Sequence, residues 1–160
     1  MTAGLPTALY VPDGDGFAAT DLTIGPWDPG LQHAGPVAAL LAREAERVTE
    51  IPDGQTVRLA FDILGPVPVG PVHVTARLLR PGRRIELVEA VLTAEPSPAH
   101  PARPLVRLTA WRMRTAPVEG TPEAGVPLPG PEESRPETAA FFTTDVAYHR
   151  ALDWRFVHGS

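Results

Sequence analysis

The chain contains no cysteine and no lysine. Without cysteine it forms neither a disulfide nor a thiolate metal site. All 14 basic residues are arginine, and 19 acidic residues bring the net charge to −5, which argues against nucleic acid as a partner. No segment approaches the roughly 20 apolar residues that span a bilayer, so no membrane contact is expected. Residues 1–15 lack the basic and apolar regions of a signal peptide, and we therefore expect a cytoplasmic protein.

A single strong helical pattern follows a turn-rich N-terminal region. Pro36 fits the first turn of a helix, where its missing N–H is not needed. Apolar residues then recur at helical spacing; they are Val37, Leu40, Leu41, Ala45 and Val48. Because residues 35–42 carry no charge, we expect the helix to be buried on all sides.

The middle of the chain alternates apolar and polar residues with period two, which is typical of strands. The segments are 57–64, 72–79, 85–94 and 105–114, and glycine and proline turns separate them. Tight turns between alternating segments predict an antiparallel sheet. One buried helix with this sheet predicts an α+β domain over residues 1–114, in which the sheet wraps around a central helix.

The C-terminal third has a different composition. Residues 115–136 hold six prolines and three glycines, as a linker does. Residues 137–160 are aromatic-rich, with Phe141, Phe142, Tyr148, Trp154 and Phe156. The twenty residues from Phe141 to Ser160 cannot build a core alone, so this segment either docks on the first domain or begins a second one.

Five segments together resemble one family. They are YVPDGDGF (10–17), GPWDPGLQHAGPVAALLA (25–42), LGPVP (64–68), RPGRR (80–84) and YHRALDWRFVHG (148–159). They are similar to thioesterase-like proteins of actinobacteria, relatives of the acyl-CoA thioesterase II type. The resemblance implies a hotdog fold, with two such modules in tandem. This chain would then be the N-terminal half, and residues 137–160 would supply the first strand of a second, absent module.

The resemblance also implies a site for acyl thioesters at the start of the helix. There the Gly35 N–H would stabilise negative charge on the thioester carbonyl, because a helix N-terminus carries free donors and a positive dipole. Gln32 and His33 would orient water or substrate. The alternative is that Gly35 and Pro36 only begin the helix.

The resemblance further places three hairpin arginines, Arg80, Arg83 and Arg84, near coenzyme A phosphates, which guanidinium groups bind well. The alternative is a solvated hairpin tip. Coenzyme A would enter as part of the substrate, and no separate cofactor is expected. No metal site is expected either; His149 and His158 are nine residues apart on a predicted strand, where they would lie at the surface.

The catalytic acid is the missing part of this pattern. Single-module relatives with a similar helix start carry a carboxylate nine residues after the histidine, where this chain has Ala42. Glu44 and Asp62 are expected at the surface. The acid is therefore expected from the second module.

Three functions follow from this pattern. The first is hydrolysis of an acyl-CoA or acyl-carrier thioester, and the second is a non-catalytic module that binds such a thioester or is only structural. A dehydratase or hydratase would need an acid to accompany His33, and none stands at a suitable spacing. In each case we expect pairing through sheet edges with a second hotdog module or in a homodimer.

Overall fold

The computed structural model describes residues 6–96, 103–117, 119–120, 129–136 and 145–156. The main sheet has six antiparallel strands in the order β1-β2-β4-β5-β6-β3. Their bounds are β1 Tyr10–Asp13, β2 Gly16–Ala19, β3 Gly54–Ile63, β4 Pro71–Arg80, β5 Ile85–Ala94 and β6 Val106–Arg114. The four long strands are the four predicted from period-two alternation, and the antiparallel sheet is confirmed.

The long helix, α1 (Ala34–Arg47), lies across one face of this sheet. Its buried side chains include Val37, Leu40 and Leu41, which belong to the same core cluster as Val88 and Leu92 of β5. The expectation that α1 is buried on all sides is wrong. One sheet covers only one side of a helix, and Ala39 on the opposite side is exposed.

Strand β3 forms one edge of the sheet and carries a bulge. The register with β6 shifts between Thr56 and Arg58, which leaves Val57 as the extra residue. Beyond the bulge, Phe61 and Ile63 share the face that looks toward α1, and Asp62 between them points to the other face. The ten-residue edge is open in the described structure, and its apolar side chains Val57 and Ile63 are exposed.

The described C-terminal residues contact the domain. A single helical turn, α2 (Ala147–Arg150), lies against a short 3-10 turn at Asp21–Thr23. Strand β8 (Arg155–Phe156) then pairs with β7 (Arg135–Pro136). The predicted strand in residues 137–160 is thus preceded by a helical turn; Phe141, Phe142 and His158 lie outside the described residues. That a second module begins here stays a prediction.

Among the described residues, no helix combines the length and apolar character needed to cross a membrane.

Candidate functional site

The segment that leads into α1 is anchored on both sides. Gln32 donates its backbone N–H to the Val67 carbonyl at 2.8 Å, and His33 donates its own to the Thr23 carbonyl at 2.7 Å. Leu31 also forms an isolated bridge with Pro68. These bonds hold Gln32 and His33 at the start of the helix, so the structure brings them together with Gly35 as the sequence predicts.

His33 is the N-cap of α1. Its Nδ1 accepts a hydrogen bond from the Gly35 N–H at 3.0 Å, which satisfies one of the free donors of the first turn. This bond requires a neutral ring with the proton on Nε2. Burial, and secondarily the charge of His149, lower the pKa of His33, which favours that neutral form. For Gly35 to donate to a ligand instead, the His33 ring would have to turn away.

Gln32 is fixed through both ends of its amide. Its Oε1 accepts a hydrogen bond from the Tyr10 hydroxyl at 2.6 Å, and its Nε2 donates to the Pro68 carbonyl at 2.7 Å. Burial raises the pKa of Tyr10, so the hydroxyl remains a donor. An amide nitrogen has two hydrogens, and one therefore remains for a ligand.

An apolar cavity of about 210 Å³ opens beside the first turns of α1. Its lining comes from α1, the end of β3, the loop before β4 and the start of β6. The residues are Gln32, Ala34, Val37, Ala38, Phe61, Ile63, Gly65, Pro66, Val67 and Val106. Gln32 is the polar side chain among them, and none is a carboxylate.

The two carboxylates considered from the sequence do not line this cavity. Asp62 lies at the surface as predicted, whereas the prediction is wrong for Glu44, since only 16% of its side chain is exposed. Asp62 is exposed and points away from the face that Phe61 and Ile63 share. Glu44 lies on α1, where its carboxylate is 3.6 Å from Arg43 and 3.4 Å from Arg47.

The hairpin arginines gather far from this cavity. Arg80, Arg83 and Arg84 line a cleft of about 470 Å³ together with Arg114, the last residue of β6. Val106 at the cavity begins the same strand, so eight residues at about 3.3 Å each, roughly 26 Å, separate the two places. Among the described residues, none of the four arginines forms an ion pair. Within one module, the cleft and the cavity are at opposite ends of the sheet.

Two aromatic residues of α2 complete the surroundings of His33. The Tyr148 ring stacks on the His33 ring with centroids 4.8 Å apart, and His149 meets it edge-on at 5.9 Å. The prediction that His149 is a surface residue on a strand is wrong, since it is partly buried in a helical turn. The aromatic content of residues 137–160 was the only sequence signal that this segment packs on something, and nothing in the sequence indicated His33 as its partner.

The described residues contain no group of three or more His, Cys, Asp or Glu side chains placed to hold a metal ion.

An antiparallel sheet with one long helix across it is the arrangement of hotdog proteins, and solved hotdog structures match the chain. One is a hot dog protein of unknown function from Alicyclobacillus acidocaldarius, with 17% identity over 88% of this chain and 50% of that one, at a TM-score of 0.62. A candidate thioesterase II from Thermobifida fusca YX has 18% identity over 80% of this chain and 46% of that one, at a TM-score of 0.55. A Bacillus halodurans protein solved with CoA has 16% identity over 68% of this chain and 74% of that one, at a TM-score of 0.53. The predicted hotdog fold is confirmed.

Sequence comparison gives the family directly. Residues 23–113 match the family model of the acyl-CoA thioesterase N-terminal domain. Because this match covers more than half of the chain, the protein belongs to that family, and the predicted thioesterase-like relationship is confirmed. No curated protein matches the chain in sequence. The chain spans about half the length of the Alicyclobacillus and Thermobifida proteins, at 50% and 46%.

Proposed function

We propose that this chain supplies the acyl-binding half of a thioesterase that hydrolyses acyl thioesters, with coenzyme A or an acyl carrier as the thiol. In that reaction water adds to the thioester carbonyl and the C–S bond breaks, giving a carboxylic acid and a free thiol. The observation that carries the proposal is the apolar cavity at the N-terminus of α1. Each methylene buried there would contribute about 0.8 kcal/mol to binding.

The start of α1 suits the reacting carbonyl. Oxygen gains negative charge as water adds, and the helix N-terminus offers free N–H groups and a favourable dipole. Ala34, the first residue of α1, lines the cavity, and Gln32 beside it keeps one amide hydrogen. Pro36 has no N–H, and the Gly35 N–H is held by His33. We therefore assign the donors to Ala34 and Gln32, with Gly35 available only after His33 moves.

The catalytic carboxylate would come from a second hotdog module or a second copy of this chain. The cavity lies next to the open β3 edge, because Phe61 and Ile63 belong to that strand. An open ten-residue edge with exposed Val57 and Leu59 favours pairing with another strand. A partner paired there would place its own residues at the cavity mouth.

The arginine cleft would bind the ligand held in the partner module's cavity rather than the ligand held in the cavity of its own module. Antiparallel pairing across β3 brings the Gly54 end of one strand beside the Ile63 end of the other. Arg114 pairs with Gly54, so the cleft of one module approaches the cavity end of its partner. In this arrangement Arg80, Arg83 and Arg84 would bind phosphates of coenzyme A.

Hydrolysis assays test both the thioesterase activity and the role of the hairpin arginines. The 160-residue chain, and any longer form that the same reading frame encodes, are assayed against short, medium and long acyl-CoA. Activity in a paired or longer form supports the proposal, and inactivity of every form on all three substrates overturns it. In an active form, Arg83→Ala with Arg84→Ala should raise KM for acyl-CoA. It should leave KM unchanged for the matching N-acetylcysteamine thioester, which has no phosphate.

A non-catalytic acyl-thioester-binding or purely structural module is the second candidate. It is favoured by the absence of a carboxylate from the cavity lining and by Ala42 at the position where related modules carry the acid. Titration calorimetry with a thioether analogue of acyl-CoA distinguishes the binding module from the structural one. Binding of the analogue by a protein that hydrolyses no thioester supports the binding module, and no binding leaves only the structural role.

A further inference from the structure

Residues 146–150, which we name the docking turn, close the outer side of the α1 N-terminus. Val146 is buried, with 3% of its surface exposed. Tyr148 stacks on His33 at an interplanar angle of 29°, and His149 adds an edge contact to the same ring. Trp154 donates from Nε1 to the His149 carbonyl at 3.0 Å, which ties the following residues to the turn.

Gly35 shows how closely the docking turn approaches. A Cβ placed on Gly35 would lie 2.7 Å from Cε1 and 2.8 Å from Cζ of Tyr148. Neither distance is acceptable for a carbon contact, so the Tyr148 ring occupies the space that a side chain would need. The sequence suggests that a ligand comes close to Gly35, but in this structure the Tyr148 ring takes that place.

The same stacking fixes the orientation of His33. The N-cap bond needs Nδ1 directed at the Gly35 N–H, and an imidazole on a single Cβ can otherwise rotate about two torsions. With Tyr148 across its face, the ring is held in the capping orientation. His33 then occupies the Gly35 donor, while Ala34 in the same turn still lines the cavity.

We propose that Tyr148 is a positioning residue that clamps His33 as the N-cap of α1 and so decides which backbone donor of the first turn a ligand meets. The assignment of that donor to a thioester rests on the proposed function; the clamp itself does not.

The clamp should be sensitive to acid. Protonated His33 cannot accept at Nδ1, and its positive charge would face the positive end of the helix dipole. Among the described residues, the charged groups on α2 and on the 3-10 turn packed against it are His149, the Arg150–Asp145 pair at 2.9 Å and Asp21; His149 acts on the His33 ring directly. Because burial lowers the pKa of His33 below its ordinary 6.5, docking is fully favoured above pH 6.5 and weakens as the pH falls below it.

Imidazole NMR on the whole chain tests the clamp without substrate. His33 signals, assigned by their loss in His33→Asn, should show the ring-current shift of a stacked ring and a pKa below 6.5. Tyr148→Ala should remove the ring-current shift and move the pKa toward 6.5, whereas Tyr148→Phe should keep both. Leu152→Ala, which changes an exposed side chain of the same segment, is the control and should also keep both.

The proposal is overturned if Tyr148→Ala leaves the His33 shift and pKa as in the wild type, or if Tyr148→Phe loses them as fully as Tyr148→Ala does. These outcomes are independent of hydrolysis. An intact clamp in a protein that hydrolyses no thioester would remove only the proposed function, and an active enzyme without the clamp signature would remove only this inference.

Discussion

Removing the carboxylate of Glu86 should destabilise the fold strongly. Glu86 lies on the α1-facing side of β5 with a side-chain exposure of 0%, directly opposite Arg112 of β6, whose side chain is 8% exposed. Oε1 is 3.4 Å from Arg112 Nε, close enough for an ion pair but not aligned as a hydrogen bond. Oε2 accepts from the backbone N–H of Glu50 at 3.1 Å, just beyond α1.

The size of the effect follows from what Arg112 retains. Deleting one member of a buried ion pair costs about 3–5 kcal/mol, because the other charge stays buried without compensation. In Glu86→Ala, Arg112 keeps its hydrogen bond to the Gly54 carbonyl and a contact at 3.6 Å with the half-exposed Glu46. We therefore expect the lower end of this range, about 3 kcal/mol.

Urea unfolding followed by circular dichroism measures this cost. Glu89→Gln is the comparison on the same strand. Glu89 is itself 15% exposed, but its partners Arg77 at 2.8 Å and Arg107 at 3.6 Å are 70% and 43% exposed, so both keep contact with solvent and we expect a cost of about 1 kcal/mol. The double variant Glu86→Leu with Arg112→Met should be less destabilised than Glu86→Leu alone, since it buries no unpaired charge. A cost for Glu86→Ala no larger than that of Glu89→Gln would show that the variant leaves no uncompensated buried charge on Arg112.

Three further predictions concern other parts of the fold. Gly35→Ala should destabilise the wild type by about 1–3 kcal/mol, because the added methyl group overpacks against Tyr148. In the Tyr148→Ala background the same change should stabilise the protein by about 0.5–1 kcal/mol, as an ordinary helix substitution does. Equal effects in both backgrounds, measured by thermal unfolding, would contradict the contact between Gly35 and Tyr148. The hydrogen bond that the His73 ring donates to the Glu95 carboxylate is the main cause that raises the pKa of His73, and the charges of Asp15 and Asp13 add to it. Any stability that this interaction gives is therefore present below pH 6.5 and lost as the pH rises through the raised pKa. Glu95→Gln should lower that pKa by NMR, and an unchanged value would disprove the assignment. In an active form, Val106→Phe should fill part of the cavity and reduce kcat/KM for long acyl chains more than for acetyl; a uniform loss would argue against an acyl cavity.

Much of the sheet could be predicted because all four long strands alternate apolar and polar residues, although the burial itself alternates regularly only along β5 and most of β6. Val88, Ala90 and Leu92 alternate with more exposed residues, and the structure buries all three against α1. Glu86 continues the same register, yet a single charged residue at a strand end is easily taken for a surface group. Its partner Arg112 is 26 positions away, and only the β5–β6 register places them opposite each other.

The site was predictable only where it is contiguous in sequence. Gln32, His33 and Gly35 are neighbours, so a helix start was enough to group them. Tyr148 reaches Gly35 from more than a hundred residues away, and no periodic pattern encodes such a contact. The hairpin arginines were found from their turn, but their separation from the cavity depends on strand direction, which the sequence leaves open until the sheet order is known.

Methyl NMR with a thioether analogue of acyl-CoA tests most directly whether the cavity beside α1 receives an acyl chain. Titration should shift the methyl signals of Val37, Val67 and Val106, which line the cavity, while Val88 in the buried core should change little. Lengthening the acyl group should tighten binding, and Val106→Phe should weaken it. Binding that leaves these three valines unshifted, or no binding by any form of the protein, would rule out this cavity as the acyl site.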